Sequence, residues 1–126
     1  MIENVLDASA VLAYLFNETG ADKVELLLEN SVIGRINVTE VLTKLVQDGL
    51  TIDEAKETFD KLNLEVAEFD ENQSLKVAEL QPLTKHIGLS LGDRCCLALA
   101  ILEDLPAVTA DKIWANLNLC KIDLIR

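Results

Sequence analysis

Ile2-Glu3-Asn4-Val5-Leu6-Asp7-Ala8-Ser9 is the stretch whose reading decides the fold. Apolar and β-branched residues come first, a single carboxylate follows, and small residues then open the amphipathic run Val11, Leu12, Leu15, Phe16. A strand that ends at Asp7 and turns directly into a helix accounts for that order. In an open parallel sheet, ligands sit outside the carboxyl ends of the strands. Asp7 therefore stands where such a sheet would use it.

Outward from that stretch, helix one runs over roughly 8–17 and breaks at Glu18-Thr19-Gly20. A second helix places Val24, Leu27 and Leu28 on one face and acids on the other. Val32-Ile33-Gly34 reads as strand two. Asn37 is the expected cap of a helix with Val41, Leu42, Leu45 and Val46 inward, ending at Gly49. Thr51 starts another, with Ile52, Ala55, Phe59 and Leu62 at helical spacing. Leu64 to Phe69 alternates as strand three. Glu71 to about His86 is helical, with Pro82 kinking or shortening it. Gly88 to Gly92 is a loop. Asp93 to Leu105 is a helix, apolar nearly all round from Cys95 to Leu102, and so is expected to be buried. Ala107-Val108-Thr109 is strand four, closing at Ala110-Asp111, and Lys121 to Ile125 is a short last strand. Strands alternating with helices imply a parallel sheet covered on both faces.

A chain of 126 residues, half of them hydrophobic, is read as one domain spanning 1–126 that can bury a core without staples. Its net charge of −11 opposes nucleic-acid binding, which relies on Lys and Arg neutralising phosphates. A nucleic-acid substrate would need bound metal or a basic partner. Cys95, Cys96 and Cys120 are odd in number and lack CxxC spacing, which argues against a disulfide framework or zinc ribbon. They suit buried thiols in a reducing cytoplasm. The opening residues lack the basic region and long apolar run of a signal peptide. The uncharged apolar run from Cys95 to Leu102 is far short of the roughly 20 residues that span a membrane.

Four acids sit where an element begins or ends: Asp7, Glu40, Asp93 and Asp111. Each has an ordinary local use. Asn37 with Glu40, and Ser90 with Asp93, are capping-box patterns. Asp7 or Ser9 suits the cap of helix one, and Thr109 or Asp111 the cap of the turn before Trp114. Together they carry more. Asp7 and Asp111 close strands on one edge of the sheet, Glu40 opens the helix after strand two, and Asp93 opens the buried helix. Clustered carboxylates cannot all stay ionised cheaply without cations. All-oxygen ligands suit Mg²⁺ or Mn²⁺, which keep waters and bind phosphate. His86 stands alone and reads as a cationic helix end rather than a ligand.

In this order, Val5-Leu6-Asp7-Ala8-Ser9, Asn37-Val38-Thr39-Glu40-Val41, Leu89-Ser90-Leu91-Gly92-Asp93 with Cys96-Leu97-Ala98-Leu99-Ala100, and Val108-Thr109-Ala110-Asp111-Lys112-Ile113-Trp114 resemble a PIN domain, and most of all the VapC-like toxins. The resemblance covers essentially the whole chain. It implies an α/β/α sandwich with a mostly parallel five-stranded sheet of order 3-2-1-4-5, so that Asp7 and Asp111 flank the crevice where the strand order reverses. It also implies Mg²⁺- or Mn²⁺-dependent RNA endonuclease activity, with Asp7, Glu40, Asp93 and Asp111 matching the acidic quartet. Ser9 and Thr109 match auxiliary hydroxyls. A protein antitoxin as inhibitor and a homodimer are further implications, with no membrane association.

The corresponding chemistry is phosphodiester hydrolysis in which metal activates a water and neutralises phosphate charge. Lys112 and Arg94, each next to a site acid, are candidate phosphate contacts. Leu27, Leu28, Val41 and Leu45 are candidate contacts for a partner, or ordinary core. Two other readings compete. A receiver-like signalling domain would use Asp70 after strand three as phosphate acceptor, although Asp7 is followed by Ala8 and Ser9 rather than an acid. A catalytically inert PIN fold would act as a protein-binding module. A Walker-type NTPase is excluded by the missing GxxxxGK[ST] loop.

Overall fold

The computed structural model describes residues 1–126. Its strands are β1 (Asn4–Leu6), β2 (Ser31–Gly34), β3 (Glu65–Ala67), β4 (Ala107–Thr109) and β5 (Ile122–Leu124). Its helices are α1 (Ala8–Leu15), α2 (Ala21–Leu27), α3 (Arg35–Gln47), α4 (Ile52–Asp60), α5 (Glu71–Glu79), α6 (Gln81–Thr84) and α7 (Leu91–Glu103). One five-stranded sheet runs β3-β2-β1-β4-β5, and every pairing in it is parallel. The expected strand order is observed, with no antiparallel strand.

The period of two along each strand divides the core into two layers. Val5, Val32 and Ala107 face one side, where they pack with Leu97, Leu99 and Trp114. Leu6, Ile33 and Val108 face the other, where they pack with Val11, Val24, Val41 and Phe59. In α7, every residue from Cys95 to Ala100 is buried, as its unbroken apolar run requires. That helix lies between the sheet and α5. Truncating Leu97, which has no exposed surface, to Ala would cost roughly 2–5 kcal/mol.

Several boundaries move, for physical reasons. The helix after β2 starts at Arg35 with no intervening loop, and Gly34 occupies its cap position. Asn37 is therefore inside the first turn and fully buried, not the cap expected of it. The Ser90–Asp93 capping box is present, and it starts α7 at Leu91, two residues before the expected Asp93. Thr51 and Glu54 form a second capping box at α4. The long helix expected from Glu71 divides at Leu80, with Pro82 in the first turn of α6 where a missing N–H costs nothing. β3 and β5 keep only three residues each, shorter than the runs expected from Leu64 to Phe69 and Lys121 to Ile125.

Candidate functional site

Asp7 is the residue that turns β1 into α1. Its backbone is extended, yet its carboxylate makes no cap hydrogen bond to the helix. It is instead tied across the sheet to the end of β4. Ser9 Oγ donates to Asp7 Oδ2 at 2.7 Å, and Thr109 Oγ1 donates to the same oxygen at 2.9 Å. Both hydroxyls also accept from β4's own continuation. Ala110 N–H donates to Ser9 Oγ at 3.0 Å, and Asp111 N–H donates to Thr109 Oγ1 at 3.1 Å. The two hydroxyls also lie 3.1 Å from each other, so Ser9, Thr109 and Asp7 Oδ2 form one connected network. The expected auxiliary residues Ser9 and Thr109 are thus the direct supports of the first acid. The same bonds set the start of the turn that carries Asp111, whose Oδ1 accepts from Ile113 N–H at 3.0 Å.

Asp93 sits in the first turn of α7, but Glu40 does not open its helix as expected: α3 begins at Arg35, directly after β2, which puts Glu40 in the second turn. Glu40 Oε1 accepts from Asn37 Nδ2 at 2.7 Å, and the same amide donates to the Gly92 carbonyl at 3.0 Å. Gly92 leaves the space that Glu40 occupies: a methyl group built on its Cα would overlap the Glu40 carboxylate. Asp93 Oδ2 accepts from the Ser90 N–H at 2.9 Å.

A common pattern emerges. In each of the four acids the protein's hydrogen bonds fall on one carboxylate oxygen: Asp7 Oδ2, Glu40 Oε1, Asp93 Oδ2 and Asp111 Oδ1. The second oxygen of each is left without a protein donor. None of the six side-chain ion pairs reaches any of these acids. The electrostatic consequence is clear at Asp7, which is 4 % exposed. Burial pushes its pKa up from 3.8 to about 7, with the charges of Asp93 and Glu40 raising it further and the Ser9 and Thr109 hydroxyls holding it down. Burial also raises Glu40, opposed by the Asn37 amide and aided by Asp93. These three acids therefore share one field. No three His, Cys, Asp or Glu side chains already stand at metal-ligating spacing in this arrangement.

Other candidates fall away. Arg94 donates through Nη1 to the Val77 carbonyl on α5 at 3.0 Å, so it braces the back of α7 rather than a phosphate. Lys112 is exposed beside Asp111 and makes no ion pair. Val41 and Leu45 are core, while Leu27 and Leu28 are half-buried against it. Cys95 and Cys96 are buried and burial raises both thiols. Asp70 caps α5 through Gln73 N–H at 2.9 Å. It follows edge strand β3, which β2 separates from β1, so it cannot join Asp7 in a receiver-type site. A surface cavity of about 670 Å³ between α3, α4 and β3 contains none of the four acids.

Two residues beside the acids carry no functional signal in the sequence: Asn37 has the spacing of a cap, and Gly92 ends a run with the composition of a loop. An Asn-x-x-Glu spacing is compatible with either arrangement, and nothing local to it announces a partner 55 positions away.

An all-parallel α/β sheet with carboxylates gathered where its strand order reverses defines a class of proteins that bind ligands at a switch point. The family model described as PIN domain matches residues 5–118, and the chain belongs to that family. Among solved structures, it is similar to DNA-bound VapBC from Salmonella typhimurium at 14% identity and a TM-score of 0.78, covering 100% of both chains. VapBC2 from Rickettsia felis, bound to a promoter DNA fragment, is 21% identical with a TM-score of 0.73 and 98% of each chain covered. VapBC-5 from Mycobacterium tuberculosis, a member of the VapBC family of toxin–antitoxin systems, is 20% identical with a TM-score of 0.66, covering 98% of this chain and 99% of that one. At these identities the likeness is one of fold. No curated protein matches the chain.

Proposed function

We propose that this chain is a Mg²⁺- or Mn²⁺-dependent endoribonuclease and the toxin half of a toxin–antitoxin pair. Membership of the PIN family supports the nuclease reading, and the toxin–antitoxin systems among its structural neighbours support the biological setting. The observation that carries the proposal is the free oxygen on each of Asp7, Glu40, Asp93 and Asp111, with no ion pair to any of them. A donor set made only of carboxylate oxygen fits a hard divalent ion.

Asp7, Asp93, Glu40 and Asp111 would hold the ion. When bound, it would lower the pKa of a water and offset phosphate charge. The protein's own part is orientation. Ser9 and Thr109 fix Asp7 through Oδ2, the Ser90 cap fixes Asp93, Asn37 fixes Glu40, and the Ile113 N–H fixes Asp111. Capping and ligation are therefore not alternatives here, because a cap uses only one oxygen of the two.

A net charge of −11 leaves the chain poorly suited to hold RNA by its own charge. Asp7, Glu40, Asp93 and Asp111, once loaded with metal, would supply the missing attraction. The same field favours an inhibitor that inserts an Arg or Lys among the four acids, and Arg's planar fork suits carboxylates. We assign that role to a protein antitoxin, and place the chain as a homodimer in the cytoplasm. No helix is long and apolar enough to cross a membrane.

The test is cleavage of single-stranded or looped RNA by purified, partner-free protein. Cleavage with Mg²⁺ or Mn²⁺ that stops with chelator is expected. Equal cleavage in excess chelator would remove the metal mechanism.

A further inference from the structure

We propose that Asn37 and Gly92 form a clamp that positions Glu40 for metal and ties it to the first turn of the helix carrying Asp93. The inference rests on the reading of the four acids as a metal site.

Asn37 is fully buried, and its side chain is not spent on capping. Both protons of its amide go to acceptors, the Glu40 carboxylate at 2.7 Å and the Gly92 carbonyl at 3.0 Å. Chemistry fixes this orientation. Rotating the amide by half a turn would set its oxygen against a carboxylate and a carbonyl, three acceptors with no donor between them. The cost of the arrangement is visible, because Asn37 Oδ1 is buried without a partner. Gly92 closes the clamp from the other side, since any larger residue would overlap the Glu40 carboxylate. The same residue thus supplies the carbonyl that holds Asn37 and the space that admits Glu40. It immediately precedes Asp93, so the clamp sets the two acids relative to each other across 53 positions of chain. Asn37 and Gly92 are positioning residues, and Glu40 is the group they act through.

The experiment measures Mn²⁺ affinity by calorimetry on the full-length protein, with thermal melting alongside. Asn37→Ala is expected to weaken Mn²⁺ binding by roughly 10–100-fold, the usual effect of losing an outer-shell partner. Gly92→Ala is expected to weaken it comparably while keeping or raising the melting temperature of the metal-free protein, since Ala favours a helix over Gly. It covers the case in which Asn37→Ala fails to fold. In a Glu40→Gln background, adding either change should alter affinity by no more than about twofold, because the residue they position has lost its charge. Unchanged Mn²⁺ affinity in a folded Asn37→Ala or Gly92→Ala protein would overturn the clamp. So would equal losses with and without the Glu40 carboxylate, which would mark a general packing role. If the unmodified protein took up no Mn²⁺, the reading of the acids would itself fail, and the clamp with it.

Discussion

The carboxylates of the outer surface and those beside the end of β1 carry the same chemical group and behave in opposite ways. On the outer surface, Glu54 is held below its ordinary pKa by the Thr51 backbone and hydroxyl, and Glu68 by the Arg35 guanidinium. Lys56 pairs with Asp60 one helical turn away. Those acids have donors or cations, lie in water, and stabilise the fold slightly when ionised. At the switch point, Asp7 and Glu40 are held above their ordinary values by burial and by the charge of Asp93, with Glu40 adding to the rise at Asp7. Acidic residues are abundant in this chain, so an acid is not informative by its type. The informative acids are those that folding has removed from water without providing a cation.

The largest expected effect breaks the comparison at its strongest point. Asp7→Asn and Asp93→Asn keep the shape of the side chain and remove its charge. RNA cleavage should fall by at least the roughly 10–100-fold that follows loss of an outer-shell partner, because these are the ligands themselves. The metal-free fold should keep or gain stability, since repulsion is relieved. Cleavage assays paired with thermal melting check both halves. Normal cleavage by easily melted variants would mean that these acids are only caps.

The second prediction uses pH. A buried carboxyl whose folded pKa is about 7 against an ordinary 3.8 binds more protons folded than unfolded across that interval. Stability of the metal-free protein from this group is therefore greatest near pH 4 and is lost as pH rises toward 7. The full shift corresponds to roughly 4 kcal/mol at about 1.36 kcal/mol per pH unit. Glu54 and Glu68, with lowered values, have the opposite sign and act only below their ordinary range. Melting temperature measured from pH 4.5 to 7.5 should decline in the unmodified protein and flatten in Asp7→Asn. Saturating Mn²⁺ should flatten it too, because metal displaces the proton.

The smallest effect sharpens the surface side. Thr51→Ala removes the cap of α4 and should cost about 1 kcal/mol of stability. It should leave RNA cleavage unchanged, as measured by initial rates below the melting transition. A large loss of cleavage would show that the outer surface is coupled to the site.

Much of this was legible in the sequence because the signals are local. The apolar-then-acidic run ending at Asp7, the unbroken apolar stretch of α7 and the Val-Thr-Ala-Asp close of β4 each specify an element and the carboxylate at its end. Strand order followed from the family resemblance. What escaped was set by tertiary partners. Asn37 has the composition of a cap, yet β2 runs straight into α3 and leaves it buried against Gly92. Arg94 follows a site acid in the chain, but the helical step turns it toward Val77. Val41 and Leu45 have the same periodicity whether a helix faces a partner or its own sheet, and here they face the sheet.

The central claim is that four carboxylates, each hydrogen-bonded through one oxygen, present their free oxygens to a divalent ion. Anomalous diffraction from a crystal soaked in Mn²⁺ tests it most directly. The account predicts a peak at the end of β1, within roughly 2.0–2.6 Å of oxygens from Asp7 and at least one of Asp93, Glu40 and Asp111. Peaks only on exposed acids such as Asp53 or Glu57, with none at Asp7, would contradict it.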